Sequence, residues 1–409
     1  MFEKLVEISR EFLKNKNSHY KRYLIRTTEF SHRVSVVVGQ RGVGKTTMIV
    51  QYLLDKVKGD RFDDRILYVQ ADHFLMGDTS LYEIADKFQL CGGKWLAIDE
   101  VHKYSNWAQE LKSIYDTFPG LTLIVSGSSA LEIYKGTHDL VRRSVCYYMA
   151  GMSFREYLEL SLGVELKSWK IEELCKNHER IAASIIEVIE GHAKKILPLF
   201  HSYLKVGYYP YFFELGNEHI FKMTLEQNLH MTIEADLAAI YPHLTGLTIK
   251  KIKQLLIFIA NSVPFIPNWE KIKSALEIGD VRTLKTYFKH LEDAGLIKSI
   301  TKASKKFSRI ESPDKVFLNN SNQLFAISLK PEIGTVRETF FLSMLSQNHA
   351  VTLPLDGDFL VGDEYLFEVG GRNKTFKQIK ESEKGYLACD EIEMGMGNKI
   401  PLWLFGFLY

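Results

Sequence analysis

The sequence predicts an α/β fold built around a parallel β-sheet, with helical and further α/β regions towards the C-terminus. Three observations support this prediction. A β-branched run at residues 34–38 leads through a glycine-rich loop into an apolar helical stretch, and short apolar runs alternate with helical patterns as far as residue 149. The third is the length of the chain, because 409 residues are more than a single hydrophobic core usually accommodates. We expect about two to four domains.

The composition is that of a folded protein in a reducing compartment. Hydrophobic residues make up 46% and charged residues 25%, and 52 basic side chains against 50 acidic ones give a net charge of +2. No apolar run approaches the ~20 residues of a membrane span, and the charged first helix excludes a secretory signal. The four cysteines show no metal-site spacing. These features predict a cytoplasmic protein without a membrane partner, and any attraction to nucleic acid must come from a local patch.

The glycine-rich loop has the pattern G-x-x-x-x-G-K-T, and a stretch without helix breakers follows it. In such loops backbone N–H groups surround phosphates, the lysine contacts the β and γ oxygens, and the threonine hydroxyl is placed for Mg²⁺. A chance glycine turn is the alternative, but the flanking strand and helix favour a nucleotide site. The residues predicted to bind ATP are Gly39, Gln40, Arg41, Gly42, Val43, Gly44, Lys45, Thr46 and Thr47, with Thr46 also a metal ligand.

Two carboxylates follow a later apolar run at residues 94–98. Asp99 and Glu100 would emerge beside the phosphate loop, because the carboxyl ends of parallel strands meet at one edge of a sheet. We expect Asp99 to hold Mg²⁺ and Glu100 to polarise the attacking water, although solvated acids at an exposed strand end would give the same pattern. ATP and Mg²⁺ are therefore the expected cofactors, and hydrolysis of ATP, assisted by Lys45, is the expected reaction.

Three further residues are candidates for the same site. Ser126 and Ser128 end the next apolar run, where a hydroxyl could contact the γ-phosphate or the attacking water; serines also end strands without any such role. Arg143 lies beside Arg142 before a fifth expected strand at residues 145–149. It could stabilise transition-state charge in its own subunit or from a neighbouring subunit of a homo-oligomer, or it could belong to a surface pair.

These motifs resemble those of prokaryotic AAA-type ATPases that carry a C-terminal domain related to restriction endonucleases. The matching segments are residues 39–47, 98–103 with Trp107, 126–129, Arg143 and 152–157. Residues 203–210 also resemble the family's Y-L-x-x-G-G-Y-P segment, with Tyr208 in place of the second glycine. The resemblance implies a P-loop NTPase core and a cytoplasmic ATP-binding protein.

The rest of the chain is predicted to form three more regions after the N-terminal helix and ATPase core at residues 1–150. Residues 151–245 show helical periodicity and would form a helical lid or connector. Residues 246–320 have the order of a winged helix, with Asp280 capping a helix at residues 281–294 and a basic hairpin after it. Residues 321–409 would form a small nuclease-like α/β domain.

The winged helix suggests double-stranded DNA as a partner. The residues placed to contact DNA are Arg282, Lys285, Lys289, Lys305 and Lys306. An internal packing module with solvated lysines would look the same, and no asparagine or glutamine that could read a base stands on the helix. A DNA-binding regulator with little ATP turnover is therefore an alternative function.

The C-terminal region resembles the PD-(D/E)xK nuclease core. Asp358 opens one expected strand and Glu368 lies near the end of the next, so together they could bind one divalent metal, with Glu338 on a nearby helix. Gly370 stands where that family usually has a lysine, and this departure argues against cleavage, although Lys374 or Lys377 could take the role. A capping box at residues 335–338 would explain Glu338 without metal. A degenerate nuclease site is the expectation, and a metal-dependent nuclease is the other alternative.

Overall fold

The computed structural model describes residues 2–127, 142–241, 243–262, 266–302, 313–376 and 382–409. The chain divides into two compact units. Unit 1 comprises Met1–Gly151 with Ala239–Pro242, and unit 2 comprises Met152–Ala238 with His243–Tyr409. The lid, winged-helix and nuclease-like regions all fall largely in unit 2, and as separate domains they remain predictions.

Unit 1 is built on a five-stranded sheet in the order β2-β3-β4-β1-β5, and every pairing in it is parallel. The strands are β1 (Val34–Val38), β2 (Ile66–Gln70), β3 (Trp95–Asp99), β4 (Thr122–Gly127) and β5 (Val145–Tyr148). The helices are α1 (Phe2–Lys16), α2 (Tyr23–Thr27), α3 (Lys45–Lys56), α4 (Leu81–Leu90) and α5 (Trp107–Thr117). Strand β1 is buried along its whole length, as its run of β-branched residues predicts.

The register of this sheet aligns the strand ends that carry polar residues. Val38 pairs with Gly127, and Gln70 pairs with Asp99, so β1, β2, β3 and β4 end along one edge. A hydrophobic core that includes Val36, Leu67 and Ile98 holds the strands in this register. The loop after β1 therefore begins at the edge where the acidic end of β3 lies.

Unit 2 begins with helices. They are α6 (Phe154–Leu162), α7 (Ile171–Gly191), α8 (Ile196–Ser202), α9 (Phe212–Leu215), α10 (Glu218–Met231) and α11 (Leu237–Ile240), with π-helical turns at Tyr203–Gly207 and Thr232–Asp236. Ser153 caps α6 in a capping box with Glu156, and Gly163 ends it at a φ of 68°. None of the described helices is both long and apolar enough to cross a membrane.

A second group of elements in unit 2 consists of three helices followed by a two-stranded antiparallel sheet. They are α12 (Gly246–Ala260), α13 (Trp269–Ala275), α14 (Val281–Asp293), β6 (Ile297–Ile300) and β7 (Lys315–Leu318). Asp280 caps α14 as predicted, because its carboxylate accepts a hydrogen bond of 2.9 Å from the Thr283 backbone N–H. The helix buries Leu284, Phe288 and Leu291 on one face.

The C-terminal part of unit 2 contains a five-stranded mixed sheet in the order β12-β11-β10-β9-β8. Its elements are α15 (Ser321–Ile327), α16 (Ile333–Leu345), β8 (Val351–Thr352), β9 (Phe359–Val361), β10 (Tyr365–Gly370), β11 (Gly385–Cys389) and β12 (Lys399–Pro401). Strands β8, β9 and β10 form an antiparallel meander, whereas β11 lies parallel to β10 and to β12. Helix α16 packs against β10.

The predicted capping box at residues 335–338 is wrong. Helix α16 begins earlier, and Glu332 caps it by accepting a hydrogen bond of 2.7 Å from the Thr335 backbone N–H. Thr335 and Glu338 are therefore helical residues, and Glu338 turns to a tertiary partner, Lys315. Pro331 precedes the cap, which fits a helix that starts immediately after it.

Candidate functional site

The loop between β1 and α3 has a backbone that needs its glycines. Gly42 and Gly44 have φ angles of 83° and 99°, in the left-handed region that favours glycine. Gly39 has no room for a side chain, since a Cβ there would lie 2.3 Å from the Met149 carbonyl oxygen. The loop ends at the first turn of α3, whose free backbone N–H groups form an anion-binding surface.

Lys45 begins α3 and lies inside this loop. Its side chain is buried, with 4% of the residue exposed, and the ammonium donates to the carbonyl oxygens of Gly39 at 2.9 Å and Gln40 at 3.0 Å. Carbonyl oxygens are neutral acceptors, so phosphate oxygens can replace them with a gain in charge–charge attraction. The ammonium is therefore placed for phosphate binding.

Asp99, at the end of β3, is 1% exposed and lies at the centre of a set of hydroxyl groups. One carboxylate oxygen accepts hydrogen bonds from the Thr46 hydroxyl at 2.6 Å and the Tyr68 hydroxyl at 2.7 Å. The other contacts the Ser126 hydroxyl and accepts from the Glu100 backbone N–H at 3.2 Å. Burial, followed by the negative charge of Asp99, raises the pKa of Tyr68, which keeps this phenol a proton donor.

Glu100 follows Asp99 in a left-handed conformation, with a φ of 53°. This conformation is unfavourable for a residue with a side chain and occurs often at functional sites. The Glu100 backbone N–H also lies 3.2 Å from the Ser126 hydroxyl, and the carboxylate lies 3.7 Å from His102 Nε2 and 3.8 Å from Lys103 Nζ. The Glu100 side chain is partly exposed, whereas the neighbouring Asp99 is buried.

The structure also places the other residues predicted for this site. Gln40 and Val43 are buried in the loop, and Arg41 and Thr47 are half-buried. Arg143 forms an ion pair with Asp116, at 3.0 Å. Ser128 lies outside the described residues.

Sequence reasoning missed two residues here. The Tyr68 hydroxyl, on β2, donates a hydrogen bond to Asp99. In the sequence, only the polar hydroxyl of a tyrosine near the end of the strand next to β3 could have indicated this contact. Arg22 is 5% exposed, and its guanidinium donates to the carbonyl oxygens of Val43 at 2.5 Å and Ala150 at 2.9 Å. Arg22 therefore links the phosphate loop to the segment after β5. Arg22 and Ala150 are 128 residues apart in the sequence, so no local pattern indicates this contact.

The arrangement fits a magnesium–nucleoside triphosphate. Lys45 and the N–H groups of the loop and of α3 would hold the phosphates, and Thr46 and Asp99 would hold the metal through oxygen ligands, which Mg²⁺ prefers. Within the part of the chain that the structure describes, all side-chain donors to Asp99 are hydroxyl groups, so none of its hydrogen bonds there comes from a cation. Neutral donors leave such a carboxylate attractive to a cation.

A second group of carboxylates lies in unit 2, and its partners are lysines. Lys315 Nζ lies 2.7 Å from Glu338, and Lys374 Nζ lies 2.8 Å from Glu368. Asp358 accepts a hydrogen bond of 2.8 Å from the Val369 backbone N–H. The second carboxylate oxygen of Glu368 is buried and has no hydrogen-bond partner among the residues that the structure describes. Burial raises the pKa of Glu338, against the opposing effect of Lys315.

Gly370 stands where the resemblance to nucleases expects a lysine, and Lys374 fills the space beside it. A Cβ at Gly370 would lie 2.7 Å from Cδ of Lys374, so the lysine stem covers the position of the missing side chain. The ammonium that pairs with Glu368 thus belongs to Lys374, four residues after Gly370 in the chain. Among the described residues, no group of three or more histidine, cysteine, aspartate or glutamate side chains could hold a metal ion.

The predicted DNA contacts on α14 differ in exposure. Arg282 and Lys289 are exposed, whereas Lys285 is half-buried, with Nζ 5.5 Å from the centre of the Trp269 ring. Lys305 and Lys306, predicted for the hairpin, lie outside the described residues, as does Lys377.

Comparisons with known proteins bear on unit 1 in particular. Residues 31–158 match a family model described as an AAA domain, and residues 197–326 match a domain of unknown function, DUF8612. An uncharacterized protein of Methanocaldococcus jannaschii is 24% identical over 91% of this chain and 84% of its own length.

Two solved structures show weaker similarity. The Walker-type ATPase PABY2304 of Pyrococcus abyssi is 11% identical, with a TM-score of 0.40, over 78% of this chain and 95% of that one. The Aeropyrum pernix Orc1 protein, solved in complex with DNA, is 13% identical, with a TM-score of 0.30, over 80% and 91%. Scores this low do not indicate a common overall fold. The match of residues 31–158 to the AAA family model and the geometry of the loop together support a P-loop ATP-binding protein.

Proposed function

We propose that unit 1 binds Mg·ATP and hydrolyses it. The observation that carries this proposal is the meeting of the Thr46 hydroxyl with the Asp99 carboxylate at 2.6 Å. A threonine at the start of a phosphate-binding helix and an acid at the end of a neighbouring strand supply the two protein ligands of magnesium in P-loop NTPases. The buried ammonium of Lys45 adds the positive charge that the phosphates need.

Each side chain has a distinct role in this proposal. Lys45 exchanges its bonds to the loop carbonyls for the β- and γ-phosphate oxygens, and Mg²⁺ when bound neutralises charge on the same oxygens. Glu100 orients the attacking water and accepts its proton, while Ser126 holds the backbone that carries Glu100. Arg143 would have to leave Asp116 to reach a phosphate, so its contribution in the same subunit or in a homo-oligomer remains a prediction.

Replacement of Lys45 tests the proposal. We expect Lys45→Ala to lower the steady-state release of phosphate from Mg·ATP by about 10²–10³-fold, the effect of losing one preorganised charge contact in the transition state. Lys16→Ala, which removes an exposed lysine at the end of α1, is the matched control and should turn over normally. Equal turnover in Lys45→Ala and wild type, with both proteins folded by circular dichroism, would refute the assignment.

We further propose that α14 contacts double-stranded DNA. Support comes from the order of three helices and an antiparallel hairpin, which is that of a winged helix, and from the exposed Arg282 and Lys289 on the helix that such folds place in the major groove. The exposed side chains carry positive charge and no base-reading amide, so binding would be electrostatic with little sequence preference.

Duplex binding should depend on salt and on these side chains. In fluorescence anisotropy, the variant Arg282→Gln/Lys285→Gln/Lys289→Gln should bind a labelled duplex about tenfold more weakly at low salt, and its slope of log K against log[salt] should fall by about 2 to 3. A control with Lys170→Gln/Lys176→Gln/Lys194→Gln, three exposed lysines elsewhere in unit 2, should match wild type. Binding without salt dependence would refute the proposal.

For the C-terminal region we propose a nuclease-like fold that does not cut DNA. The support is that lysine ammonium groups, those of Lys315 and Lys374, lie against Glu338 and Glu368, where a metal would be needed. Supercoiled plasmid should stay intact with either Mg²⁺ or Mn²⁺. Nicking that disappears in Asp358→Ala/Glu368→Ala would overturn this and establish the nuclease alternative.

A further inference from the structure

Unit 2 contains a cavity of about 390 Å³ whose lining is rich in lysine. Its walls come from the π-helical turn at Tyr203–Gly207, the first turns of α10, helix α15 and the segment that leads into α16. The residues that matter for binding are Lys205, Lys222, Lys330, Glu218, Phe221 and Phe325. The volume lies within the ~300–1,000 Å³ that small-ligand sites usually occupy.

The three lysines of this cavity differ from the lysines that pair with the carboxylates of the C-terminal sheet region. Lys315 and Lys374 are held by carboxylates at 2.7 and 2.8 Å. The ammonium groups of Lys205, Lys222 and Lys330, in contrast, make no hydrogen bond or ion pair with any residue that the structure describes. Three ammonium groups around one cavity repel one another, and the single carboxylate of the lining, Glu218, cannot balance them. This charge favours an anionic ligand.

The remaining walls indicate what kind of anion would fit. Phe221 is 1% exposed and forms an apolar wall, and Phe325 is half-buried beside it. Glu218 and Lys222 stand in the first turns of α10, a helix of 14 residues whose dipole points its positive end towards this region. Lysines that neutralise phosphates beside aromatic side chains are the usual combination in proteins that bind single-stranded nucleic acid.

We propose that this cavity binds phosphate groups, either those of a single-stranded nucleic acid backbone or those of a free polyphosphate. Lys205, Lys222 and Lys330 supply the positive charge, and the half-buried Phe325 offers apolar surface to a base or a sugar. The site is distinct from the P-loop, since all its lining residues belong to unit 2. It does not depend on ATP hydrolysis or on duplex binding by α14.

The test measures binding to the full chain while the P-loop is saturated with Mg²⁺ and a non-hydrolysable ATP analogue. One arm uses a fluorescent 20-nucleotide single strand at low salt, and the other uses inorganic tripolyphosphate followed by calorimetry. The variant is Lys205→Gln/Lys222→Gln/Lys330→Gln, and the control is Lys170→Gln/Lys176→Gln/Lys194→Gln, three exposed lysines of the same unit that also lack ion-pair partners among the described residues.

We expect the cavity variant to bind the single strand at least about tenfold more weakly than wild type, with a salt slope smaller by about 2, while the control stays within about twofold. Glu218→Gln should bind more tightly than wild type, by about threefold, because it removes the opposing carboxylate. Loss of tripolyphosphate binding alone, with no binding of the strand, would assign the site to free polyphosphate. If neither ligand distinguishes the cavity variant from the control, the proposal is wrong.

Discussion

Asp99 in unit 1 and Glu368 in unit 2 are both almost completely buried carboxylates carried by strands, being 1% and 2% exposed, but their partners differ. Asp99 accepts from hydroxyl groups, those of Thr46, Tyr68 and Ser126. Glu368 accepts from the ammonium of Lys374. Hydroxyl groups orient a carboxylate without cancelling its charge, whereas an ammonium cancels the charge and occupies the place of a cation.

The difference separates a carboxylate whose hydrogen-bond donors are neutral from one that already pairs with a lysine of its own chain, although the second oxygen of Glu368 has no hydrogen-bond partner among the described residues. A buried carboxylate without a cation lowers the stability of the fold. A protein that keeps such a carboxylate therefore gains free energy when a cation binds there, or uses the charge in the function of the site. A carboxylate paired with lysine already has a cation beside it. We therefore propose chemistry at Asp99 in unit 1 and a structural role for the acids of unit 2, and each part of this comparison can be tested.

The largest expected effect comes from neutralising the two acids in turn. Asp99→Asn should lower ATP turnover by about 10²–10³-fold, because it removes the charge that would hold the metal while an amide oxygen can still accept from Thr46. Glu368→Gln should leave turnover within about twofold of wild type. Phosphate release at saturating Mg·ATP is the measurement, and a strong loss in Glu368→Gln would break the comparison.

The ion pair between Lys315 and Glu338 should behave as a structural pair. Their side chains are only 10% and 17% exposed, so Lys315→Met leaves a buried carboxylate without its cation, at a cost of about 3 kcal/mol in the free energy of unfolding. Urea unfolding followed by tryptophan fluorescence measures this cost.

The double variant Lys315→Met/Glu338→Leu supplies the control. Apolar residues of similar volume often replace a buried pair without loss, so its stability should return to within about 1 kcal/mol of wild type. If the double variant lost as much as the two single variants together, the two side chains would act independently, and Glu338 would have a role other than pairing with Lys315.

Local sequence signals predicted the strands and the loop around the candidate ATP site, for a physical reason. The glycine pattern of the loop, the β-branched run before it and the acids after β3 are each local, and the geometry of a parallel sheet alone brings them to one edge. The predicted strand at residues 34–38 coincides with β1, and the proximity of Thr46 and Asp99 follows from the sheet. The helix after the loop begins at Lys45, two residues earlier than the apolar run suggests.

Local sequence patterns did not predict contacts between side chains that are distant in the sequence. Glu338 and Thr335 have the spacing of a capping box, but Glu332 three residues earlier competes for the same N–H group and wins. Glu338 is then free to meet Lys315, 23 residues earlier in the chain, which no local pattern specifies. The sequence offered Lys374 or Lys377 in place of the lysine missing at Gly370, and Lys374 reaches Glu368, but no local pattern distinguished between the two lysines.

Lys298 allows the same comparison of neutral and charged partners to be made for a lysine, because its partner is a hydroxyl group. Its ammonium donates to the Ser346 hydroxyl at 2.5 Å, and burial lowers its pKa to about 8. The folded chain thus binds fewer protons than the unfolded chain between about pH 8 and the ordinary lysine value of ~10.4, so the free energy of unfolding should rise with pH in that window. We expect a rise of about 1 kcal/mol, a modest value because the side chain is only half-buried.

Lys298→Met isolates this contribution from other groups that titrate at high pH. The variant should be more stable than wild type at pH 7.5, and the difference should shrink by about 1 kcal/mol at pH 9.5 in urea unfolding. A difference that does not change with pH would mean that burial does not lower the pKa of Lys298.

The smallest expected effect concerns how firmly hydroxyl groups hold Asp99. Tyr68→Phe removes one of its donors but keeps the ring that stacks on Phe12, with centroids 4.3 Å apart. Thr46 and Ser126 still bind the carboxylate, so ATP turnover should fall by only about threefold, less than 1 kcal/mol of transition-state stabilisation. Tyr52→Phe, at a buried tyrosine of α3 in the same unit, controls for loss of a phenol and should not change turnover. A fall of 10²-fold in Tyr68→Phe would mean that the phenol takes part in the reaction itself, and neutral donors would then be more than supports for Asp99.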